Sequence, residues 1–335
     1  MSIIVDAMGG DNAPKEIVQG AVLAAARVTH TIVLVGDAAR IQAYLPSPCP
    51  PNIEIHPASQ IIEMDDKPLE SLRKKKDSSM VVGVELVKLG RGRAFVSAGN
   101  TGAATAASLL SWRQITGVHR PAIATVIPNR PGGFLLLDSG ASPDVDPEHL
   151  VEFADMGRAY AQCVMGRKNP KVHLLNIGEE PGKGNAFAKQ AYNLLSKYRW
   201  FAGNIEGKDM YAKPCDVVVC DAFVGNIVLK TSEGVAELIL QVIKDHVPTN
   251  MLIRLAYLPL RKVLLPLKKQ MDYAEYGGSP LLGLNGMCVV CHGRSSAKAM
   301  SNAILLAQKA VDTNLVETIR ANVRQDLVKE EQASV

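Results

Sequence analysis

The sequence predicts an α/β fold, with three layers in an αβα arrangement around a mainly parallel sheet. Short, continuous apolar runs alternate with longer helical patterns, which is typical of strands in a parallel sheet covered on both faces. Several of these runs end in glycine-rich loops, where α/β sheets commonly bind ligands. The chain has 335 residues, of which 47% are hydrophobic and 21% are charged. This composition supports a large buried core and excludes a disordered chain.

The predicted elements follow the apolar runs in order along the chain. Strands are predicted at residues 3–5, 31–35, 94–97, 134–137, 172–177, 217–220 and 287–291. Helices are predicted at residues 14–28, 103–112, 147–165, 186–197 and 228–245. Pro14, preceded by Asp11 and Asn12 as possible caps, is a good helix start. Because no linker-like stretch divides the chain, we predict one domain over residues 1–335, with a helical insertion at about 247–276.

The amino-terminal segment and the cysteines indicate the cellular compartment of the protein. Met-Ser-Ile-Ile-Val-Asp lacks the basic segment of a signal peptide. The sequence contains no apolar run of the ~18 residues that a membrane span requires. Six cysteines in a chain of this length fit a reducing compartment better than a disulfide framework. We therefore expect a cytoplasmic protein.

The sequence Cys288-Val-Val-Cys291-His292 matches the pattern of haem attachment. Haem attachment needs a secreted or periplasmic chain, which the amino terminus does not indicate. A single Cys-x-x-Cys pair also supplies too few ligands for zinc. In the predicted strand at 287–291, Cys288 and Cys291 face opposite sides. We therefore predict buried structural cysteines, and we expect no metal and no cofactor.

The segment Ser97-Ala-Gly-Asn-Thr-Gly102 is the strongest local chemical signal. Glycines between a strand and a helix let backbone N–H groups approach an anion such as phosphate. Two interpretations are open: a phosphate site, or a tight turn in which Asn100 and Thr101 cap the helix. The segment lacks the glycine spacing of dinucleotide-binding folds and the Gly-Lys-Ser/Thr of a P-loop. Nucleotide binding is therefore disfavoured.

Four further polar residues follow predicted strands, each with two open interpretations. Asp138 is either a turn residue or a ligand of the substrate. Lys183 lies between glycines, where its ammonium either points into a cleft or is solvated at the surface. Asn226 either caps the following helix or donates an amide hydrogen bond to a ligand. His292 either faces the site or is structural.

Residues 247–271 form an unusual basic segment, with five basic residues and no acidic one, in a chain whose net charge is +4. On a helix the basic side chains lie together and leucines occupy much of the remaining surface. One interpretation is docking on anionic lipid or on an acidic protein. The other is a dimer arm with solvated lysines. The residues predicted to bind a carrier or a membrane are Arg254, Leu260, Arg261, Lys262, Leu264, Lys268 and Lys269.

Seven motifs taken together closely resemble those of the bacterial phosphate acyltransferases. In chain order they are Asp6-Ala-Met-Gly-Gly-Asp11, Ser97-Ala-Gly-Asn-Thr-Gly-Ala103, Leu137-Asp-Ser-Gly-Ala141, Asn176-Ile-Gly-Glu-Glu180, Gly203-Asn-Ile-Glu-Gly207, Gly225-Asn226 and Tyr276-Gly-Gly-Ser-Pro-Leu-Leu-Gly283. The resemblance spans residues 3 to about 306. Ser142, Ala222, Val224 and Arg294 depart from the usual pattern of the family.

The resemblance implies a reaction in which inorganic phosphate attacks the thioester of a fatty acyl carrier protein. The products are the free carrier thiol and a long-chain acyl phosphate for phospholipid synthesis. It also implies a fold similar to phosphotransacetylases and isocitrate-type dehydrogenases, a homodimer, and transfer of the product to a membrane glycerol-3-phosphate acyltransferase. With the basic segment, it predicts reversible association with an anionic membrane surface. No nucleic-acid partner is expected.

By the same resemblance, Lys183 and Asn226 match the positions credited with catalysis. Phosphate is already a nucleophile, so the protein must chiefly neutralise charge and hold the reactants in line. A cation and an amide are sufficient for this catalysis. The sequence does not apportion the roles of the two residues. The residues predicted to bind phosphate or substrate are Asp6, Gly9, Gly10, Asp11, Ser97, Gly99, Asn100, Thr101, Gly102, Asp138, Gly140 and His292.

Two other functions compete with this prediction. A short-chain phosphotransacetylase would share the chemistry but use coenzyme A, and the basic segment favours a protein carrier or a membrane instead. A non-catalytic peripheral membrane scaffold would use the basic segment and leave the strand-end loops without a role. An NAD-dependent dehydrogenase is disfavoured because the dinucleotide fingerprint is missing.

Overall fold

The computed structural model describes residues 1–245 and 277–323. Within these ranges eleven strands form one sheet. The strands are β1 (Ser2–Asp6), β2 (Thr31–Gly36), β3 (Ile53–Pro57), β4 (Ala94–Ser97), β5 (Ala122–Ile127), β6 (Phe134–Leu137), β7 (Val172–Asn176), β8 (Phe201–Glu206), β9 (Val217–Val219), β10 (Ser279–Leu282) and β11 (Met287–Val290). Their spatial order is β3-β2-β1-β4-β11-β10-β5-β6-β9-β7-β8.

The helices of the described residues join these strands. They are α1 (Lys15–Ala25), α2 (Ala38–Gln42), α3 (Pro68–Lys74), α4 (Ser79–Lys88), α5 (Thr101–Trp112), α6 (Pro147–Cys163), α7 (Ala186–Leu195), α8 (Asp209–Ala212), α9 (Ala222–Asp245) and α10 (Ala297–Asp312). A further helical segment lies at 315–323. Among the helices that the structure describes, none is both long and apolar enough to cross a membrane.

The sheet is mainly parallel, as predicted, but its centre is antiparallel. Among the described strands, seven neighbouring pairs are parallel and three are antiparallel. The reversed pairs are β11–β10, β10–β5 and β5–β6. Two of them are joined by short loops that contain glycines at positive φ, Gly132, Gly133 and Gly283. Short connections of this kind require antiparallel strands, because a parallel pair needs a long crossover.

The strands are apolar throughout because both faces of the sheet are covered. In β1, Ile3 and Val5 join one buried cluster with residues of α1, α6 and α10, while Ile4 joins another with residues of α4 and α5. Successive side chains of a strand point to opposite faces, so each strand of this kind must be apolar at every position. Cys288 and Cys291 likewise belong to opposite clusters, as predicted. The αβα class is thereby confirmed.

All seven predicted strands and all five predicted helices are present among the described residues; the strands at 94–97 and 134–137 have the predicted ends, and the other elements have shifted ends. Helix α1 begins at Lys15, so Pro14 occupies the N-cap and not the first helical position, and it makes no side-chain capping hydrogen bond. Helix α9 begins at Ala222, six residues before the prediction, because the Asp221 carboxylate accepts the Val224 N–H at 2.9 Å. The predicted insertion at 247–276 lies outside the described residues.

Candidate active site

Strands β1, β4 and β11 are parallel neighbours, so the loops that follow them meet at one edge of the sheet. Two of these loops are joined by a buried hydrogen bond, in which Ser97 Oγ donates to Asp6 Oδ2 at 2.7 Å. Ser97 Oγ also accepts the Gly99 N–H at 3.0 Å. The structure therefore brings the predicted residues of both loops together.

Asp6 is only 1% exposed, and burial raises the pKa of its carboxyl above the ordinary value. Its Oδ1 accepts the N–H of Met8 at 3.2 Å. A Cβ on Gly9 would collide with the Asp6 carboxylate and would lie 2.9 Å from the Gly99 nitrogen. Asp6, Ser97 and Gly9 thus hold the two loops against each other, and this geometry favours a positioning role for them over direct contact with substrate.

The loop that follows β11 completes this edge. The N–H of Asp11 donates to the Gly293 carbonyl at 2.9 Å. Gly10 has φ of +114°, and a Cβ there would lie 3.1 Å from the same carbonyl oxygen. On the far side, Glu16 of α1 accepts the N–H of Ala297 at the start of α10 at 2.7 Å. The loop carrying His292 is therefore fixed beside the first glycine loop.

Asn100 caps α5, as one of the two interpretations had it, because its side chain accepts the Ala103 N–H at 2.9 Å. Its amide nitrogen donates to the carbonyls of Met64 and Asp66. Thr101 and Gly102 follow at the exposed first turn of the helix. Backbone N–H groups at this position face the solvent and are available to an anion.

Asp138 ends β6 and is fully buried. Its carboxylate accepts four backbone N–H groups, from Ile123, Gly140, Ala141 and Ser142, at 2.8–3.0 Å. Burial nevertheless raises the pKa of this carboxyl. With its oxygens engaged by the turn, Asp138 shapes the loop, and the structure favours the turn interpretation. Gly140, two residues on, is exposed at φ +149°.

Asn226 lies in the second turn of α9 and is exposed. Asp221 is the cap of this helix, so the capping interpretation of Asn226 is wrong. A Cβ on Gly225 would collide with the carbonyl oxygen of Asp138, so only glycine permits this approach of helix and loop. As a result, Asn226 Oδ1 lies 3.8 Å from the position of a Cβ on Gly140. The amide therefore sits beside the loop that follows β6.

Lys183 lies in the loop that follows β7 and is exposed. Asn176 at the end of β7 holds this loop, because its amide donates to the Lys183 carbonyl at 3.1 Å. Glu179, in the same loop, forms an ion pair with Lys213. Within residues 1–245 and 277–323, the Lys183 ammonium forms no ion pair. Because β7 and β9 are parallel neighbours, the loops carrying Lys183 and Asn226 leave the same edge of the sheet.

His292 joins the two groups of loops. Its Nε2 lies 3.1 Å from Nζ of Lys230, one turn after Asn226 on α9, and 3.8 Å from Oε1 of Glu233. Lys230 also pairs with Glu233 at 2.8 Å. Hydrogen bonding to His292, followed by that to Lys230, lowers the pKa of Glu233 to about 2. A charged cluster thus connects α9 with the loop that follows β11.

The sequence does not reveal a cluster of three hydroxyls at the centre of the sheet. Thr125 Oγ1 lies 2.7 Å from Ser139 Oγ and 2.9 Å from Ser279 Oγ. Two of these residues belong to β5 and β10, which are not among the predicted strands. Thr125 and Ser279 border a cavity of about 700 Å³ that also reaches His292.

No metal centre is evident in the part of the chain that the structure describes, and burial disfavours the thiolate form of two cysteines. There, His, Cys, Asp and Glu side chains form no group of three that could hold a metal ion. Burial raises the pKa of the thiols of Cys215 and Cys288, to about 11 and about 12. The residues predicted to bind a carrier or a membrane, Arg254, Leu260, Arg261, Lys262, Leu264, Lys268 and Lys269, lie outside the described residues.

Comparison with known proteins shows which family this chain resembles in sequence. A model of the family described as "Fatty acid synthesis protein" matches residues 1–318. The phosphate acyltransferase of Desulfitobacterium hafniense is 49% identical over 323 residues, covering 96% of this chain and 97% of that protein. The chain belongs to the phosphate acyltransferase family. The corresponding protein of Heliobacterium modesticaldum is 47% identical over 327 residues, covering 96% and 98%.

A solved structure extends the comparison to the fold. A phosphotransacetylase from Streptococcus pyogenes superposes with a TM-score of 0.59 at 17% sequence identity, covering 93% of this chain and 94% of that one. At this identity the similarity concerns the fold alone. The predicted family and the predicted similarity to phosphotransacetylase folds are both confirmed. The prediction that the protein is an acyltransferase is confirmed by its membership of the family.

Proposed function

We propose that this phosphate acyltransferase family member transfers a long-chain fatty acyl group from acyl carrier protein to inorganic phosphate, giving acyl phosphate for phospholipid synthesis. The observation that carries the proposal is the contact of Lys230 with His292, at 3.1 Å. It places the helix that bears Asn226 beside the loop cluster of Asp11, Thr101 and Gly102. We infer that the Asn226 amide and the exposed backbone N–H groups at the start of α5 face one bound substrate.

The chemistry requires no protein nucleophile. An oxygen of phosphate attacks the thioester carbonyl carbon, a C–O bond forms, and the C–S bond breaks. The electron pair of that bond leaves on sulfur, and the thiolate takes up a proton to give the free carrier thiol. The protein must hold both reactants in line and stabilise the oxyanion that develops on the carbonyl oxygen.

Lys183 and Asn226 are suited to this task because both are exposed at the same edge of the sheet. We assign to the Asn226 amide a hydrogen bond to the developing oxyanion. We assign to the Lys183 ammonium the neutralisation of phosphate or of the leaving thiolate. We assign the phosphate to the backbone N–H groups of Thr101 and Gly102, while Asp6, Ser97 and Asn100 keep these loops in place.

The partners and the organisation of the chain form part of the same proposal. We propose a single domain, a homodimer, and reversible contact of residues 247–276 with an anionic membrane, where a glycerol-3-phosphate acyltransferase would receive the product. Exposed apolar side chains on α9, such as Phe223 and Val224, offer a surface to a second copy. The membrane contact is tested by co-sedimentation with phosphatidylglycerol vesicles. The double variant Leu260→Asp, Leu264→Asp should lose co-sedimentation if the contact exists, and unchanged co-sedimentation would exclude the contact.

A side-by-side assay tests the donor. Long-chain acyl carrier protein and the matching acyl coenzyme A are each incubated with phosphate, and acyl phosphate is trapped with hydroxylamine. We expect phosphate-dependent hydroxamate with the carrier protein, at higher kcat/KM than with coenzyme A. Equal or greater efficiency with coenzyme A would overturn the carrier assignment.

A further inference from the structure

The roles proposed for the loops at the candidate active site do not use the cavity of about 700 Å³ beside α9. One wall is the carboxyl end of β5, at Thr125 to Ile127, with Pro128 after it. The opposite wall is α9, from Ile227 to Ile239, and the floor includes Gly278 and Ala299. Its volume is within the ~300–1,000 Å³ that is usual for small-molecule sites.

The walls of this cavity are mainly apolar. They include Val126, Ile127, Met210, Ile227, Val228, Val235, Ala236, Ile239 and Val290. Two of its polar groups, the Thr125 and Ser279 hydroxyls, are bonded to each other at 2.9 Å. A mainly apolar site of this kind favours hydrocarbon over phosphates and sugars, which need several polar partners.

The walls are held together by hydrogen bonds. The hydroxyl of Tyr211, in the wall opposite α9, is hydrogen-bonded to Ser232 of α9. The Met210 carbonyl accepts the amide of Asn129 at 3.1 Å. The cavity is therefore formed before any ligand binds, which lowers the entropic cost of binding a flexible chain.

The cavity adjoins the candidate active site through residues of α9 and through His292. Ile227 in its wall is the residue after Asn226, and His292 and Glu233 belong both to the cavity lining and to the charged cluster. A linear molecule with its polar end at Asn226 would therefore place its apolar part between β5 and α9.

We propose that this cavity holds the hydrocarbon chain of the acyl substrate, with the carbonyl end at Asn226 and His292. The proposal rests on the proposed acyl transfer and extends it, because it assigns the residues that recognise chain length. Affinity should rise about fourfold for each methylene group that the apolar walls bury.

Two neighbouring residues of α9 provide a matched test. Ile239 lines the cavity, whereas Leu238 lies outside it, and both side chains are largely exposed, at 42% and 62%. The same substitution, Ile239→Asp or Leu238→Asp, therefore introduces the same charge at a cavity position and at a control position. Neither change removes a core side chain.

Binding is measured by isothermal titration with hexadecylphosphonate and octylphosphonate, which report on the cavity without turnover. We expect Ile239→Asp to weaken hexadecylphosphonate binding by about tenfold or more, since a charge replaces an apolar contact, and Leu238→Asp to change it less than about twofold. As a second variant, Ala236→Phe narrows the cavity. It should lower kcat/KM for 16-carbon acyl carrier protein more than for the 8-carbon donor.

The outcomes separate the cavity from the reaction. If wild type forms acyl phosphate but Ile239→Asp and Ala236→Phe keep its hexadecylphosphonate affinity and its chain-length profile, the cavity assignment is overturned while the reaction stands. If wild type binds hexadecylphosphonate, loses this affinity in Ile239→Asp and forms no acyl phosphate, the cavity assignment stands and the proposed reaction fails.

Discussion

Gly225 of α9 packs directly against the backbone carbonyl of Asp138, with no room for a side chain between them. Asp138 is itself held by four backbone N–H groups of its own turn and of β5. The start of α9 therefore rests on a rigid turn at the end of β6. This contact fixes the position of the adjacent Asn226 amide, which the proposed reaction uses.

Adding a methyl group at Gly225 should disturb this contact. We expect Gly225→Ala to destabilise the fold by about 1–3 kcal/mol, because the added Cβ meets backbone that cannot move aside, and to lower turnover by displacing Asn226. Gly234→Ala on the same helix is the matched control. A Cβ there meets nothing within 4 Å, so helix propensity should make this variant about 0.5–1 kcal/mol more stable.

Urea denaturation and steady-state assays measure both effects. If Gly225→Ala matched wild type in stability and turnover, the close approach of α9 to Asp138 would be absent in solution.

The two candidate catalytic residues should affect turnover and leave stability nearly unchanged. We expect Lys183→Ala and Asn226→Ala each to lower turnover by about 10²–10³ fold, the usual scale for one oxyanion-stabilising group. Both side chains are exposed, so the melting temperature should change little. Lys189→Ala and Asn193→Ala, at exposed positions of α7, are the matched controls. Near-normal turnover in Lys183→Ala and Asn226→Ala would show that these two exposed residues have no catalytic role.

The charged cluster on α9 predicts a pH dependence of stability. Hydrogen bonds from His292 and Lys230 lower the pKa of Glu233 from 4.5 to about 2. A carboxyl whose pKa is lower in the folded state stabilises the fold above its unfolded pKa, and this contribution is lost as pH falls towards the folded pKa. We expect Glu233→Gln to reduce the free energy of unfolding by about 1–3 kcal/mol at pH 7.

The difference between wild type and Glu233→Gln should then shrink as the pH is lowered from about 5 to 3.5 in a series of denaturant titrations. A difference that stays constant over this range would show that Glu233 is not held by the cluster.

Much of this architecture is predictable from the sequence because its strands are apolar without interruption. The strand at 134–137 is predicted with its observed ends, and the apolar run of β4 leads into a loop whose Asn100 does cap α5. The motifs around Gly9, Gly99 and Gly225 are visible as patterns, and the glycines are required by close backbone approaches. Their partners, the Gly99 nitrogen and the Asp138 carbonyl, lie far away in sequence and appear only in three dimensions.

The cavity and the hydroxyl cluster were not predictable, for physical reasons. Strand β10 contains Pro280 and is only four residues long, so its pattern is weak. Strand β5 is short and apolar, and periodicity alone does not distinguish it from a buried loop or helix segment. Since both strands escape prediction, Thr125 and Ser279 cannot be placed together, and the antiparallel centre of the sheet remains hidden.

The origin of the transferred phosphate is the most direct test of the central claim. The protein is incubated with palmitoyl carrier protein and ³²P-labelled phosphate, and labelled acyl phosphate and free carrier thiol are quantified in the same samples. Attack of phosphate on the thioester predicts one labelled acyl phosphate for each thiol released, with no thiol released when phosphate is omitted. Thiol release without labelled acyl phosphate would mean hydrolysis by water, and would contradict the proposed transfer.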